Sequence, residues 1–257
     1  MFKKILIIIK TGLKVDCKLI EKIKKFSKES KIKVLHFNEV NKNIFKNEDL
    51  IITVGGDGTF VKAANLIENS LILGINSNPK KSEGALTSIL ISESDKLKEI
   101  LEGKYKIILR QRAKVFLNEK QIDEHAINEV YIGAASQFHT SRYELEFKGK
   151  NEEHRSSGVI VSTGSGSGAW FYSAGGKKFK FHEEKLAFIV REPYFGKNVF
   201  KPKILYGEIK KGEILTIKSK RDFGGILSVN DAVYPFNKGD VAKITLSDKP
   251  LRVVQPK

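Results

Sequence analysis

The sequence predicts an α/β domain with a doubly wound parallel sheet, followed by a β-rich domain with antiparallel strands. In the first hundred residues, short apolar and β-branched segments alternate with helix-like segments, which is typical of βαβ units. From about Tyr105 onward, short strand-like segments are separated by turn residues, which favours antiparallel pairing. The 257 residues contain 40% hydrophobic side chains and one cysteine. A sizeable core is therefore expected without internal disulfide bonds.

The first domain is predicted to span residues 1–103. Apolar, β-branched runs predict strands at residues 4–9, 32–37, 50–54 and 71–75. Helices are predicted at residues 19–26, where apolar side chains recur at helical spacing, at residues 59–68 between two strands, and at residues 92–103 as a connection. This alternation is the basis for the parallel sheet.

The second domain is predicted to span residues 104–257. Its strand-like segments are short and are separated by turn residues, as in antiparallel sheets. They lie at residues 106–109, 114–117, 127–132, 143–147, 159–162, 186–190, 214–218, 226–229 and 241–246.

The chain is basic, with a formal net charge of +16. Such a charge attracts polyanions, including nucleic acid, anionic membranes and polyphosphate-bearing small molecules. The lysines are scattered, so a general enrichment in solvated lysine explains the charge equally well. The apolar run at the start ends at Lys10, which predicts a strand and no membrane span. Composition alone does not choose among these polyanions, and the single cysteine agrees with a reducing compartment such as the cytoplasm.

A glycine-rich turn at residues 55–59 follows the buried strand predicted at residues 50–54 and opens a helix. Glycines let the backbone approach a ligand, and a helix N-terminus offers unpaired N–H groups, so this turn is a candidate phosphate site. Asp57 lies within it, where its charge opposes phosphate unless it binds magnesium or takes a proton from an attacking hydroxyl. A tight turn with Asp57 near a helix cap remains the alternative.

A second turn rich in glycine and serine follows the strand at residues 159–162 and ends at Trp170. Its small side chains would admit a ribose or phosphate, and the indole offers a face on which a base can stack. The alternative is a flexible surface turn with Trp170 in the core. Gly164, Gly166 and Ala169 also form a weak match to a dinucleotide-binding fingerprint.

Two smaller sets of polar residues complete the candidate site. Asn128 and Glu129 are adjacent in a strand, so only one of them can face the core. Asn76 lies in a polar loop after a strand, where ligands commonly bind in open α/β sheets. The five histidines lack the spacing of metal ligands, so no metal site built from protein side chains is predicted.

Together these segments resemble the NAD kinase family, in which GGDGT, an NE pair and a TPTGSTAY-like turn recur in this order. Here they read GGDGT from Gly55, NE from Asn128 and TGSGSGAW from Thr163. The motif details are similar to the mitochondrial-type NAD kinases of animals. This chain departs from the common family pattern by having Gly164 for Pro, Gly168 for Thr, Trp170 for Tyr and Ser157 for Asp.

The resemblance implies phosphoryl transfer to the 2′-hydroxyl of the adenosine ribose of NAD, with Asp57 orienting or deprotonating that hydroxyl. It also implies two groups of binding residues. The donor phosphates would contact Gly55, Gly56, Gly58 and Thr59. NAD would contact Asn76, Asn128, Glu129, Thr163, Ser165, Ser167, Ala169 and Trp170.

The resemblance further implies ATP or polyphosphate as donor, Mg²⁺ bound with it, a site between the domains and a homodimer or homotetramer. A lipid kinase of the diacylglycerol or sphingosine type shares GGDGT, but it would carry a GTGND-like stretch where this chain has GINSN. An NAD-dependent oxidoreductase and a non-catalytic basic binding module are weaker alternatives. The module would predict salt-sensitive binding to nucleic acid without turnover.

Overall fold

The computed structural model describes residues 2–13, 17–136 and 138–257. Its helices are α1 (Cys17–Phe26), α2 (Asp57–Ala64), α3 (Ser94–Leu101) and α4 (Trp170–Ser173), with 3₁₀ turns at Phe37–Glu39 and Lys42–Phe45. Its strands are β1 (Lys4–Ile9), β2 (Lys31–His36), β3 (Leu50–Gly55), β4 (Leu71–Asn76), β5 (Ile89–Leu90), β6 (Tyr105–Arg110), β7 (Ala113–Leu117), β8 (Lys120–Gln121), β9 (Glu129–Ala134), β10 (Ser141–Phe147), β11 (Lys150–Ser156), β12 (Gly158–Ser162), β13 (Lys185–Arg191), β14 (Tyr206–Lys210), β15 (Leu215–Ser219), β16 (Gly225–Val229), β17 (Ala232–Pro235), β18 (Val241–Leu246) and β19 (Leu251–Pro256).

The chain divides into two compact units. The first comprises Met1–Arg110 and Leu251–Lys257, and the second comprises Gln111–Pro250. The sequence predicted a division at residue 103 with all later residues in the second domain. The structure groups the chain differently, because β19 pairs with β6 along its whole length and with β4 at Val253.

The first unit has a seven-stranded sheet in the order β2-β1-β3-β4-β19-β6, with β5 paired to β4. Strands β1 to β5 pair in parallel, and β6 runs antiparallel to β19. Alternate residues of β1, β3 and β4 pack with α1 and α3 on one face. On the other face, Phe60 of α2 lies against Gly74 of β4. Helices on both faces confirm the predicted doubly wound class.

The second unit contains two six-stranded antiparallel sheets. Their orders are β11-β10-β15-β18-β7-β8 and β14-β13-β12-β9-β16-β17. A single apolar cluster includes residues of both sheets, among them Leu145, Val161, Phe188 and Ile244. The predicted antiparallel, β-rich character of this part of the chain is confirmed.

The predicted strands of the first unit lie within one residue of β1 to β4. The helix predicted at residues 59–68 begins earlier, at Asp57, and ends at Ala64, where a turn rich in asparagine and serine follows. Strand β11 was missed because its sequence, KNEEHRS, carries no apolar alternation. Among the described residues, every helix is too short or too polar to span a bilayer.

Gly74 makes the close packing of α2 on β4 possible. A Cβ atom there would lie 2.8 Å from Phe60 Cδ2 and 2.9 Å from Thr87 Cα. We expect Gly74→Ala to lower the free energy of unfolding by about 1–3 kcal/mol, because the added methyl group overpacks this contact. Chemical denaturation measures the change.

Gly58→Ala is the matched control for this substitution. A Cβ atom at Gly58 meets nothing within 4 Å, and alanine favours helix over glycine by about 0.5–1 kcal/mol. The same change should therefore stabilise the chain at Gly58 and destabilise it at Gly74. Equal effects at both positions would contradict the packing described here.

Candidate active site

The carboxyl end of β3 leads into α2 through two glycines. Strand β3 is buried along its whole length and lies between β1 and β4. A Cβ atom would lie 2.4 Å from Thr59 Oγ1 if added to Gly55, and 2.6 Å from Ser82 Oγ if added to Gly56. Because larger residues would collide, the two glycines allow the chain to turn directly from strand into helix.

Helix α2 begins at Asp57 with Gly56 as its N-cap. The first N–H groups of a helix lack partners within it and carry the positive end of the helix dipole. The space beside Gly58 is open, so a ligand can approach the backbone there. This end of α2 therefore has the properties of an anion site.

A cleft of about 640 Å³ opens beside this connection. The predicted donor residues Gly56, Gly58 and Thr59 line it together with Asp57, whereas Gly55 does not. Thr59 is buried. The cleft is completed by three lysines, two apolar side chains and several polar ones: Lys10, Lys62, Lys81, Leu13, Phe37, Thr11, Asn76, Ser77, Asn78 and Ser82.

Sequence reasoning did not single out the three lysines of this cleft. Lys10 directly follows β1, whose carboxyl end lies at the same sheet edge as that of β3. Lys62 lies four residues after Gly58 in α2 and hence on the same side of the helix. Strand polarity and helical spacing could have identified both. Lys81 carried no such signal, because it lies in an irregular loop.

Asp57 holds its carboxylate toward the backbone of Ala85 and Leu86. Oδ2 accepts a hydrogen bond from Ala85 N at 3.0 Å, and Oδ1 accepts one from Leu86 N at 2.8 Å. The alternative interpretation required the Asp57 side chain to cap its own helix. The carboxylate instead bonds to the backbone of Ala85 and Leu86. Each oxygen retains a lone pair, so the carboxylate can still accept a proton or a further hydrogen bond.

Asn76 shapes the loop that forms one wall of the cleft. Its amide is buried and donates from Nδ2 to Ser82 O at 3.2 Å, and its Oδ1 accepts from Asn78 N at 3.0 Å. These bonds orient the loop after β4. Its predicted contact with NAD stays a prediction.

In the second unit, Glu129 begins β9, directly after Asn128. Its Oε2 atom is buried and accepts no hydrogen bond from any described residue. Burial raises the pKa of this carboxyl to about 7. Glu129 is thus a carboxyl group with unused hydrogen-bonding capacity, which protein interiors seldom leave without a purpose.

The turn after β12 packs against the backbone that precedes β9. Thr163 is fully buried, and its N–H donates to Asn128 O at 2.9 Å. Its hydroxyl donates to Ile127 O and accepts from Gly166 N. A Cβ atom at Gly166 would lie 2.4 Å from Asn128 O. The second and third motifs are therefore in direct contact within this unit.

Ser167 fixes the other side of the same turn. Its hydroxyl lies 2.9 Å from Gly164 O and 3.0 Å from both Phe179 N and Phe179 O. The hydroxyls of Thr163 and Ser167 are both buried and hydrogen-bonded to backbone atoms of the protein. They therefore help to shape the turn. Their predicted bonds to the dinucleotide stay predictions.

The turn exposes its last residues to solvent. Ser165 is half-buried, Ala169 is exposed and Trp170 is 38% exposed. The indole packs on Tyr131 with ring centroids 5.1 Å apart, and the Arg191 guanidinium lies 5.0 Å from the indole centroid. Trp170 is therefore a surface aromatic side chain held by its neighbours and not a core residue.

Metal-binding side chains are sparse around these motifs. Within residues 2–13, 17–136 and 138–257, no three His, Cys, Asp or Glu side chains are grouped so that they could hold a metal ion. The carboxylate lining the cleft is that of Asp57. A cation at this position would thus depend on ligands brought by a substrate.

Comparison with known proteins connects these motifs to one family. No protein-family model matches the chain. The chain is 28% identical over 243 residues to an NAD kinase of Caldicellulosiruptor saccharolyticus, covering 93% of this chain and 88% of that protein. It is 27% identical over 239 residues to a probable NADH kinase of Oryza sativa, covering 83% and 73%. The mitochondrial-type branch stays a prediction.

The fold matches as well. A crystal structure of an NAD kinase from Archaeoglobus fulgidus in complex with ATP superposes with a TM-score of 0.75 at 22% identity, covering 97% of this chain and 92% of that one. The chain is therefore similar to NAD kinases over nearly its whole sequence and in its fold, and it carries the three motifs in the order in which they occur in that family.

Proposed function

We propose that this chain transfers the terminal phosphoryl group of a nucleoside triphosphate to the 2′-hydroxyl of the adenosine ribose of NAD, giving NADP. The observation that carries this proposal is the position of Asp57. Its carboxylate lies at the N-terminus of α2, in a cleft lined by three lysines. A proton acceptor beside an anion site is the arrangement that phosphoryl transfer to a hydroxyl requires.

The cleft suits a polyanionic donor. The N-terminal N–H groups of α2 attract phosphate, and Lys10, Lys62 and Lys81 offer charges that can follow a chain of phosphates. Phe37 and Leu13 add an apolar surface suited to a nucleobase. This surface favours ATP as donor, and polyphosphate, which has no base, remains the alternative.

Mg²⁺ is part of the proposal, bound through the donor. Magnesium typically takes one or two protein carboxylates together with substrate phosphates and water, and the cleft supplies Asp57. Bound there, the ion would neutralise charge on the phosphates during transfer. The oxygens of Asp57 already accept two backbone hydrogen bonds, so the donor would provide most of its ligands.

The chemical step assigned to Asp57 is proton acceptance. The 2′-hydroxyl oxygen forms a bond to the terminal phosphorus, the bond from that phosphorus to the leaving nucleoside diphosphate breaks, and the hydroxyl proton passes to the carboxylate. The two N–H donors at Ala85 and Leu86 fix the carboxylate while leaving lone pairs for this proton. Positioning of this kind favours in-line attack.

NAD is assigned to the second unit's motifs. Glu129 offers a buried carboxyl oxygen, Oε2, that accepts no hydrogen bond from the described residues and that suits a ribose hydroxyl or an adenine amine. Asn128, Ser165, Ala169 and Trp170 lie on or beside the turn and are proposed to contact the dinucleotide. The buried hydroxyls of Thr163 and Ser167 would support that turn.

The competing functions are less well supported. A lipid kinase gives no reason for the Thr163 to Trp170 turn, and the relatives are NAD or NADH kinases. The dinucleotide fingerprint at Gly164, Gly166 and Ala169 follows a strand of an antiparallel sheet and precedes a helix of four residues. It therefore lacks the βαβ setting that the fingerprint needs.

Three further features are proposed from the resemblance. The first is a homodimeric or homotetrameric state, the second is a cytoplasmic location, and the third is that the partners are small molecules and neither membrane nor nucleic acid.

The acceptor is either NAD or its reduced form, NADH, since the relatives are named NAD kinase and NADH kinase. Kinetics with each form would decide this point.

We expect Asp57→Asn to lower turnover at least about a hundredfold, because asparagine is a far weaker proton acceptor than aspartate. The amide also places a donor opposite one of two N–H groups, which should cost about 1–2 kcal/mol of stability. The assay follows NADP formation from NAD, ATP and Mg²⁺, well below the thermal midpoint and with circular dichroism to confirm the fold.

Glu83→Gln is the matched control, since this carboxylate is exposed and lies outside the residues that line the cleft. It should leave turnover and stability unchanged. An Asp57→Asn variant that is less stable yet turns over within tenfold of the wild type would show that Asp57 serves only to hold the turn.

The raised pKa of Glu129 predicts a pH-dependent stability. The fold favours the protonated carboxyl, so this contribution is complete below the unfolded pKa of about 4.5 and is lost as the pH rises through about 7. Relative to Glu129→Gln, the wild type should lose on the order of 2–3 kcal/mol between pH 4.5 and pH 8. Denaturation followed by Trp170 fluorescence measures this difference, since Trp170 is the single tryptophan.

Glu184→Gln is the control for this experiment, because Glu184 is an exposed glutamate of the same unit. Its stability should follow the wild type at every pH. If the free energy of unfolding depends on pH in the same way for the wild type and Glu129→Gln, Glu129 does not bind a proton in the folded protein as proposed.

A further inference from the structure

Residues 84–86 form a turn that holds the Asp57 carboxylate, and Arg110 holds this turn. Arg110 Nη2 donates to Ala85 O at 3.2 Å. On the same peptide segment, Ala85 N donates to Asp57 Oδ2 at 3.0 Å and Leu86 N donates to Oδ1 at 2.8 Å. One side of the turn thus faces the guanidinium and the other faces the carboxylate.

Arg110 is placed by the sheet of the first unit. It is the last residue of β6 and lies opposite Leu251 of β19. Only 7% of its surface is exposed, and burying a guanidinium is costly unless charges and hydrogen bonds compensate. Burial lowers the pKa of Arg110, while the charge of Asp57 raises it. The two charges are therefore close enough to interact.

The far end of the same segment has its own anchors. Ser88 Oγ donates to Val254 O at 2.6 Å, and Ser88 N donates to Gly74 O at 2.8 Å. Leu86 is buried. These contacts secure residues 86–88 against the sheet, whereas the carbonyl of Ala85, nearest the carboxylate, is held by Arg110.

We propose that Arg110 is a positioning residue for phosphoryl transfer, which fixes the Asp57 carboxylate through the turn at residues 84–86 and places a positive charge beside it. This inference rests on the proposed function for its kinetic consequences. The restraint of the turn at residues 84–86 by Arg110 does not depend on which reaction the protein catalyses. Lys10, Lys62 and Lys81 also line the cleft and remain in every variant below.

The test compares Arg110→Gln, Arg110→Lys and a control, Arg252→Gln, in the full chain. Arg252 lies on the neighbouring strand β19, is exposed and donates to the carbonyl of Asn69. Two kinds of measurement are made: hydrogen exchange of the peptide covering residues 83–88, and kcat with the Michaelis constants for NAD and ATP.

We expect Arg110→Gln to speed exchange of residues 83–88 at least about tenfold, because the carbonyl anchor is lost. The same variant should lower kcat roughly tenfold to a hundredfold with both KM values within about twofold of wild type. Arg252→Gln should match the wild type throughout.

Arg110→Lys keeps the charge but loses the planar fork of donors. Its kcat should fall several-fold while both KM values stay within about twofold of wild type, and this result decides the matter if Arg110→Gln does not fold. Wild-type exchange in the 83–88 peptide, or a rise in KM at constant kcat, would overturn the inference. A wild-type protein that forms no NADP refutes the proposed function instead, and the exchange data then decide the role of Arg110 alone.

Discussion

The carboxylate of Asp57 is held between the N-terminus of α2 and two backbone N–H groups at Ala85 and Leu86. Several features of the first unit position this carboxylate. Close packing at Gly55 brings the first turn of α2 against the end of β3, and Gly56 packs against Ser82 of the loop after β4. The two backbone hydrogen bonds fix the position of the carboxylate, and three lysines line the same cleft.

The sequence was sufficient for most of the fold and for the central carboxylate. Periodicity located β1 to β4, and the glycine turn identified Asp57. Periodicity could not show that the last strand returns to the first sheet, because the pairing of Leu251 with Arg110 joins residues far apart in the chain. The lysine at position 81 and the anchoring turn at residues 84–86 lie in irregular loops, whose geometry depends on tertiary contacts.

The second unit shows how residue type and role can differ. Serine and threonine in a polar turn suggest ligand contacts, yet the hydroxyls of Thr163 and Ser167 are buried and bonded to the protein. The family proline at position 164 is glycine here, and a Cβ atom at Gly164 would lie 2.1 Å from Lys180 O. The backbone of the following loop thus occupies space that a side chain would need. Burial, which a sequence motif does not encode, separates the supporting residues from the exposed ones.

The reaction proposed for this protein is transfer of a terminal phosphoryl group to the ribose 2′-hydroxyl of NAD. The most direct measurement incubates the purified full chain with NAD, Mg²⁺ and ATP labelled in the γ-phosphate. The product is then separated and tested with an NADP-specific dehydrogenase. We expect the label to appear in a dinucleotide that this dehydrogenase reduces, in proportion to the ADP formed. ADP release without labelled NADP, or labelling of a diacylglycerol or sphingosine substrate in its place, would contradict it.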